Sequence, residues 1–146
     1  MSLTVLDASA LVAGLVDDPA KPAVDSIFRR SRGVAISAWN LAEVLDQLVR
    51  ARGHDPETVR ERINLLMVGG LEVEPVWLRV VWLATSLRSA HYHRTRAPVS
   101  LADCVCVATA VTLGTDLATT DPALAGVARA AGLDVIALPD SNGQLP

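Results

Sequence analysis

The sequence predicts one three-layer α/β/α domain built on a mostly parallel five-stranded sheet. Short apolar segments typical of buried strands alternate with longer segments of helical periodicity along the whole chain. This alternation is typical of a parallel sheet with helices on both faces. The chain has 146 residues, the size of one domain. Apolar residues make up 51% of the sequence and charged residues 20%, a balance that excludes intrinsic disorder.

The strands are predicted from short apolar or alternating segments bounded by turn residues. They span residues 3–7, 34–36, 71–74, 117–120 and 135–138. The first and the fourth run directly into an aspartate, Asp7 and Asp121. Each therefore carries a carboxylate to the point where the chain leaves the sheet.

The helices are predicted from apolar periodicity together with capping residues at their ends. Serines stand at N-cap positions before two of them, and Asp-Pro pairs open two others. The predicted helices span residues 8–16, 23–32, 37–52, 55–68, 76–91, 100–113 and 121–131. The domain is predicted to cover residues 1–140, followed by a polar tail at 141–146.

The composition excludes several classes of protein. The longest stretch without a charged residue, 104–115, is shorter than the about 20 residues that a membrane span needs. The amino-terminal segment lacks the basic region of a signal peptide. The single lysine, Lys21, stands in no phosphate-loop motif. Cys104 and Cys106 are expected to be buried thiols of a cytoplasmic protein. The net charge of −3 means that a polyanionic substrate would need locally placed positive charge.

Four carboxylates stand where such folds bind ligands, beyond the carboxyl ends of the strands. Asp7 and Asp121 follow strands, and Glu43 lies one to two turns into the helix after the second strand. Asp103 lies in an otherwise apolar helix, where an unpaired buried carboxylate costs several kcal/mol. Local roles remain open for all four: N-caps for the first and last, a Ser100–Asp103 capping box, and an exposed helix face shared by Glu43, Asp46, Gln47 and Arg50.

If the four carboxylates converge, their mutual repulsion calls for a divalent cation. An all-oxygen set of ligands selects a hard ion, Mg²⁺ or Mn²⁺. Such a site at an open sheet edge is typical of phosphoryl chemistry. Hydroxyl groups that could orient ligands or water stand nearby, at Ser9, Ser37, Thr119 and Thr120.

Four segments in this order resemble the PIN-domain family, in particular the VapC-type toxins of bacterial toxin–antitoxin pairs. They are VLDASAL at 5–11, ISAWNLAEV at 36–44, LADCV at 101–105 and LATTD at 117–121. The resemblance implies a PIN-like fold and a metal-dependent endoribonuclease using Mg²⁺ or Mn²⁺. It implies that Asp7, Glu43, Asp103 and Asp121 are catalytic metal ligands, with Ser9 and Thr119 as accessory groups. It also implies a homodimer and an antitoxin that blocks the active-site groove.

On this interpretation RNA is hydrolysed in line, leaving a 5′-phosphate and a 3′-hydroxyl. Arginines would position the RNA backbone, although an exposed solvated surface is the simpler role for each cluster. The candidates are Arg29, Arg30 and Arg32 after the second helix, and Arg94 and Arg96 before Ser100.

Two other functions are considered. The first is a non-catalytic α/β binding module in which the acidic residues only cap helices. The second is another Mg²⁺-dependent phosphohydrolase, which is disfavoured because Ser9 stands where a second aspartate is needed and Lys21 is the one lysine. His91 and His93 suggest a metal-free acid–base site only weakly. The helix carrying Trp77 and Trp82 is predicted to be either core or a protein interface.

Overall fold

A five-stranded sheet forms the centre of the structure, a computed structural model that describes residues 3–146. Every paired strand runs parallel to its neighbours, and the strand order is β3-β2-β1-β4-β5. The strands are β1 (Leu3–Leu6), β2 (Gly33–Ser37), β3 (Leu71–Glu74), β4 (Asp116–Thr119) and β5 (Val135–Ala137). The predicted parallel sheet is confirmed.

Helices connect the strands and cover both faces of the sheet. They are α1 (Ala8–Leu15), α2 (Lys21–Arg30), α3 (Ala38–Asp46), α4 (Pro56–Val68), α5 (Leu78–His91), α6 (Leu101–Leu113) and α7 (Pro122–Ala130). Most predicted ends differ from these by one or two residues. No helix within residues 3–146 combines the length and the hydrophobicity needed to cross a membrane.

The largest difference from the predicted elements lies between 37 and 52, where one continuous helix was expected. Helix α3 ends at Asp46, and a π-helical turn, Gln47–Ala51, follows it. The π-turn widens the backbone spiral by one residue, which local periodicity does not signal. The expected helix at 23–32 instead begins at Lys21, because Pro22 is accommodated in its first turn.

Two apolar cores lie on the two faces of the sheet, and the strands supply alternate residues to each. Leu6 and Ile36 face the core formed with α1 to α4. Val5 and Leu117 face the core formed with α5, α6 and α7. All four side chains are completely buried. Because the central strands are covered on both sides, they appear in the sequence as short apolar runs.

The sequential order of the strands changes direction at β1: β2 and β3 follow on one side of it, and β4 and β5 follow on the other. On one side β1 pairs with β2, with Leu3 opposite Gly33, and on the other it pairs with β4, with Leu6 opposite Ala118. Helix α1 leaves β1 on one face of the sheet and α7 leaves β4 on the other, which opens a crevice beyond the carboxyl ends of these two strands. The residues that follow these two strands meet in that crevice.

Helices α1 and α2 approach each other closely at Gly14. A Cβ atom at this position would lie 2.8 Å from Cγ1 of Val24, which is buried. Val24 is β-branched and has few alternative rotamers within a helix. A glycine at position 14 is therefore required by the packing.

We expect Gly14→Ala to lower the free energy of unfolding by about 1–3 kcal/mol, because overpacking outweighs the better helix propensity of alanine. Gly126 in α7 is the matched control, since nothing lies within 4 Å of a Cβ added there. Gly126→Ala should raise the free energy of unfolding by about 0.5–1 kcal/mol. Urea denaturation measures both, and a stabilised Gly14→Ala protein would contradict the packing argument.

Candidate active site

Asp7 lies at the centre of the crevice, directly after β1. It is 4% exposed. Its side chain caps α1 by accepting a hydrogen bond from the Ala10 backbone N–H, at 2.7 Å to Oδ1. The Thr119 hydroxyl donates to Oδ2 at 2.6 Å, and the Ser9 hydroxyl donates to the same carboxylate at 2.8 Å. Both carboxylate oxygens are thus held by donors from α1 and from the end of β4.

Burial raises the pKa of Asp7 from 3.8 to about 6. The hydrogen bonds from Thr119, Ala10 and Ser9 act in the opposite direction, and the negative charge of Asp103 raises the pKa further. Desolvation dominates because a buried carboxylate loses its hydration and has no cationic partner to replace it. The fold therefore holds this anion at a cost in stability.

The residues after β4 continue the hydrogen-bond network of Asp7. The Thr119 hydroxyl accepts a hydrogen bond from the Asp121 backbone N–H at 2.9 Å. The Thr120 hydroxyl lies 2.8 Å from the Ser9 hydroxyl. Asp121 itself caps α7, accepting from the backbone N–H of Ala123 at 2.7 Å. Ser9 and Thr119, predicted as accessory groups, therefore both contact the central carboxylate.

Glu43 reaches the same edge from α3 and is held there by Asn40. The Asn40 side chain is buried, and its amide donates to Glu43 Oε2 at 2.9 Å and to the Ala102 carbonyl oxygen at 3.1 Å. Burial raises the pKa of Glu43, the hydrogen bond from Asn40 lowers it, and the charge of Asp103 raises it. Asp46, one turn further along, instead forms an exposed ion pair with Arg50. Glu43 is thus set apart from the solvated face of its helix.

Sequence reasoning did not include Asn40 among the candidate site residues. The signal was present, since a polar amide stands three residues after the N-cap Ser37 and three before Glu43. The Asn40 backbone N–H donates to the Ser37 hydroxyl at 3.0 Å. Asn40 therefore links the start of α3, the candidate carboxylate and the first turn of α6.

Asp103 closes the arrangement from the first turn of α6. The predicted capping box is present: the Ser100 backbone N–H donates to Asp103 Oδ2 at 2.7 Å, and the Asp103 N–H donates to the Ser100 hydroxyl at 3.0 Å. Burial raises the pKa of Asp103, the Ser100 hydrogen bonds lower it, and the charge of Asp121 raises it. The capping role and the position at the acidic edge coexist.

The four carboxylates are close enough for their charges to interact, but each is turned toward its own helix. Across residues 3–146 no three acidic, histidine or cysteine side chains are arranged tightly enough to hold a metal ion. Glu43, Asp103 and Asp121 each use one oxygen in a local hydrogen bond. In the described part of the chain their other carboxylate oxygens, Oε1, Oδ1 and Oδ2, accept no hydrogen bond.

The donor set nevertheless fits a hard divalent cation. All the candidate ligands are carboxylate oxygens, which Mg²⁺ and Mn²⁺ prefer. The ion pairs found within residues 3–146 join neighbouring residues on helix surfaces, and none includes one of the four acidic residues. The negative charge at the crevice is therefore not balanced by any cationic side chain of the described chain.

The candidate arginines fall into two groups. Arg94 and Arg96 lie in the loop that leads to α6, and Arg96 lines a cavity of about 160 Å³ beside the start of α7. Arg29, Arg30 and Arg32 lie at the end of α2 and just before β2, next to the amino edge of the sheet. Arg96 therefore lies beside the start of α7, the helix that Asp121 caps, whereas the arginines at the end of α2 lie at the opposite, amino end of β2.

His93 and the two cysteines take structural roles. His93 Nδ1 accepts hydrogen bonds from the backbone N–H groups of Thr95 and Arg96, which fixes the loop. Cys104 and Cys106 are buried free thiols, as predicted. Burial raises the pKa of Cys104 to about 11, so the thiol stays protonated within the core.

Comparison with known proteins comes from a family model and from solved structures. The PIN-domain family model matches residues 4–130. No curated protein sequence matches the chain.

Three solved structures share the fold. VapBC2 from Rickettsia felis, bound to a DNA fragment from its promoter, aligns with a TM-score of 0.68 at 15% identity, covering 92% of this chain and 97% of that one. FitAcB from Neisseria gonorrhoeae aligns with a TM-score of 0.68 at 22% identity, covering 91% and 96%. VapC20 from Mycobacterium tuberculosis, a toxin that cleaves the sarcin–ricin loop, aligns with a TM-score of 0.65 at 20% identity, covering 84% and 93%.

The raised pKa of Asp7 generates a prediction about stability and pH. A folded-state pKa of about 6 against 3.8 means that the folded protein holds a proton that the unfolded chain releases between these values. Stability therefore falls as the pH rises through this window, by about 3 kcal/mol in all. In EDTA at pH 7, Asp7→Asn should raise the free energy of unfolding by about 1–3 kcal/mol, and the gain should vanish near pH 4.

Urea denaturation between pH 4 and pH 8 measures this effect. Asp46→Asn is the control, because Arg50 lowers the pKa of that exposed carboxyl and neutralising it brings no gain at pH 7. A destabilised or pH-independent Asp7→Asn protein would show that burial of the Asp7 charge carries no cost.

Proposed function

The chain belongs to the PIN-domain family, and from this membership and the geometry of its acidic edge we propose that it is a metal-dependent endoribonuclease, the toxin of a toxin–antitoxin pair. One observation carries the proposal. Carboxylates from four separate segments lie at one edge of the sheet and interact through their charges, and within residues 3–146 no cationic side chain forms an ion pair with them. We place its action in the cytoplasm, together with its RNA substrate.

Asp7, Glu43, Asp103 and Asp121 would hold Mg²⁺ or Mn²⁺. The bound ion supplies activation of water and stabilisation of charge on the phosphate. Ser9 and Thr119 fix the orientation of the Asp7 carboxylate. The buried amide of Asn40 fixes Glu43 against α6. Such outer hydrogen bonds keep ligands oriented before the ion arrives, which supports affinity for it.

Arg94 and Arg96 would bind the RNA backbone beside the acidic edge. Both lie in the loop between α5 and α6, and that loop is pinned by the backbone pair His93–Ala97. Arg96 shares a cavity with Pro122, the residue after Asp121. Guanidinium groups at this place supply the local positive charge that a chain of net charge −3 needs to bind RNA.

The non-catalytic binding module is the alternative that the capping geometry favours, since all four carboxylates accept local hydrogen bonds at the helices that carry or follow them. Capping alone does not require that Asp7 be buried, which lowers the stability of the folded protein at neutral pH. It also does not require a buried amide that orients Glu43. These two features indicate that the carboxylates are kept for a further ligand, and mutation of Glu43 separates the two interpretations.

We expect Glu43→Gln to reduce Mg²⁺-dependent RNA cleavage at least about 100-fold, because removal of a ligand exceeds the effect of disturbing its supporting residues. Cleavage of total RNA and growth inhibition in a bacterial host measure the loss. Asp46→Asn, on the same helix, should keep full activity. Cleavage that persists in Glu43→Gln, or in the wild-type protein with excess EDTA, would exclude the metal-dependent mechanism.

Two exposed apolar surfaces support the proposed protein partners. On α5, Val80, Ala84 and Leu87 face the core, while Trp77, Leu78, Val81 and Trp82 remain exposed. We assign this exposed side of α5 to the homodimer.

A second surface, an apolar groove of about 310 Å³, lies between α1, α2 and α4 and is lined by Leu11, Phe28, Leu65 and Leu66 among others. We assign this groove to an apolar helical segment of the antitoxin.

The two assignments predict that one substitution weakens the dimer and that another weakens antitoxin binding. Trp82→Asp should raise the dimer dissociation constant at least about 30-fold, as loss of an interface tryptophan does. Leu65→Asp should leave the dimer intact and weaken antitoxin binding. Sedimentation equilibrium and titration with the antitoxin measure the two effects. A dimer that survives Trp82→Asp and dissociates in Leu65→Asp would reverse the assignments.

A further inference from the structure

A basic cleft lies beyond the end of α1, outside the acidic edge. Its volume is about 520 Å³, and its basic lining residues come from three separate parts of the chain: Lys21, Arg52, His54 and Arg62. The remaining lining residues are Leu15, Val16 and one carboxylate, Asp17. None of these basic residues was among the arginines that the sequence suggested for RNA binding.

Two of the basic side chains of the cleft are held in place by backbone carbonyl oxygens, and Lys21 also forms an ion pair. Arg62 donates to the Leu15 carbonyl oxygen at 3.3 Å, a neutral partner that positions the guanidinium. Lys21 donates to the Gly14 carbonyl oxygen at 2.9 Å and pairs at 3.3 Å with Asp25. Within residues 3–146 the Arg52 side chain has no hydrogen-bonded acceptor. The cleft thus presents permanent cations to an anionic ligand.

Arg52 lies between the basic cleft, which it lines, and the hydroxyl groups beside Asp7. Arg52 also lines a smaller cavity of about 210 Å³, whose walls include Ser9 and Thr120. Ser9 donates to the Asp7 carboxylate, and Thr120 lies in hydrogen-bond contact with Ser9. A ligand that extends from Asp7 past these hydroxyls therefore reaches Arg52 first and the other cations next.

The carboxylates along this path accept hydrogen bonds from backbone N–H groups of their own loops. Asp18 accepts a hydrogen bond from the Ala20 backbone N–H at 2.9 Å. Asp140 accepts from the backbone N–H groups of Asn142 and Gln144. Both line the smaller cavity, so a polyanion passing through it would be drawn toward the Arg52 side of the wall.

We propose that the basic cleft binds backbone phosphates of the RNA strand on one side of the scissile bond, with Arg52 joining the cleft to the cleavage site. This inference rests on the proposed nuclease function and specifies where its substrate lies. Guanidinium and ammonium groups bind phosphates without reading bases. The cleft therefore contributes affinity and direction to the RNA strand, and its contribution depends on the length of the RNA.

The test measures binding of a fluorescein-labelled, random-sequence single-stranded RNA of about 20 nucleotides as a function of salt. Loss of one phosphate contact reduces the slope of log K against log salt by about 0.7 for a single strand. We expect that reduction in Arg52→Gln and in Arg62→Gln. Arg60→Gln is the matched control, since Arg60 lies on the same helix and pairs with Glu57 outside the cleft. Its slope should equal that of the wild-type protein.

Cleavage assays separate this proposal from the nuclease function. With long RNA, Arg62→Gln should raise KM and leave kcat unchanged, and with RNA too short to reach the cleft it should behave like the wild-type protein.

Salt slopes that match the wild type in both Arg52→Gln and Arg62→Gln would overturn the cleft proposal while wild-type cleavage stands. Equal reductions in Arg60→Gln would also overturn it. Reduced slopes in a protein that cleaves no RNA would support the cleft and refute the nuclease function. Weakened antitoxin binding with unchanged RNA slopes would show that the cleft binds protein and overturn the proposal.

Discussion

Burial of the Asp7 carboxylate between the ends of β1 and β4 is the constraint on which the rest of the site depends. A buried anion without a cationic partner requires hydrogen-bond donors on every side. The structure supplies them from the first turn of α1 and from Thr119. The Thr119 hydroxyl also accepts a hydrogen bond from the Asp121 backbone N–H. The position of Asp121 is therefore tied to that of Asp7. The sheet reversal at β1 makes this possible, since it places the two strand ends side by side with helices leaving to opposite faces.

The acidic residues serve two roles at once, and the two roles are compatible because a carboxylate has two oxygens. One oxygen accepts a local hydrogen bond that fixes the side chain, a cap in Asp103 and Asp121 and a bond from Asn40 in Glu43. In these three residues the other oxygen accepts no hydrogen bond from the described part of the chain. A cap holds a carboxylate in a defined direction at little entropic cost. The same arrangement that looks like ordinary helix capping therefore keeps the anions oriented at one edge, where burial first, and then the charge of a neighbouring carboxylate, raises the pKa values of Asp7, Glu43 and Asp103.

The charge distribution would allow an acidic protein to bind the polyanionic substrate that we propose. The net charge is −3, yet the cations are not spread evenly. Arg96 lies beside the start of α7, which Asp121 caps, and Arg52 of the basic cleft shares a cavity with Ser9 and Thr120. An RNA strand laid across the edge would meet positive charge at both of these places. Local placement, not total charge, decides binding of this kind.

The sequence by itself determined the strands, most of the helices, and the positions of the carboxylates at the ends of elements. These features follow from short-range physics, namely apolar periodicity and the capping of unpaired backbone N–H groups. The parallel sheet also followed, because strands alternate with helices throughout. The location of Arg29, Arg30 and Arg32 at the amino edge was implied by their place before β2, once the strand direction is known.

Only the tertiary structure decided which side chains belong together. Glu43 and Asp46 are one turn apart on the same surface, and packing of Asn40 against α6 is what separates them. The grouping of Lys21, Arg52 and Arg62 depends on how three segments pack around the end of α1. Local periodicity says which face of a helix is buried but not which distant helix buries it. Contacts between residues far apart in the chain are therefore settled only when the layers pack.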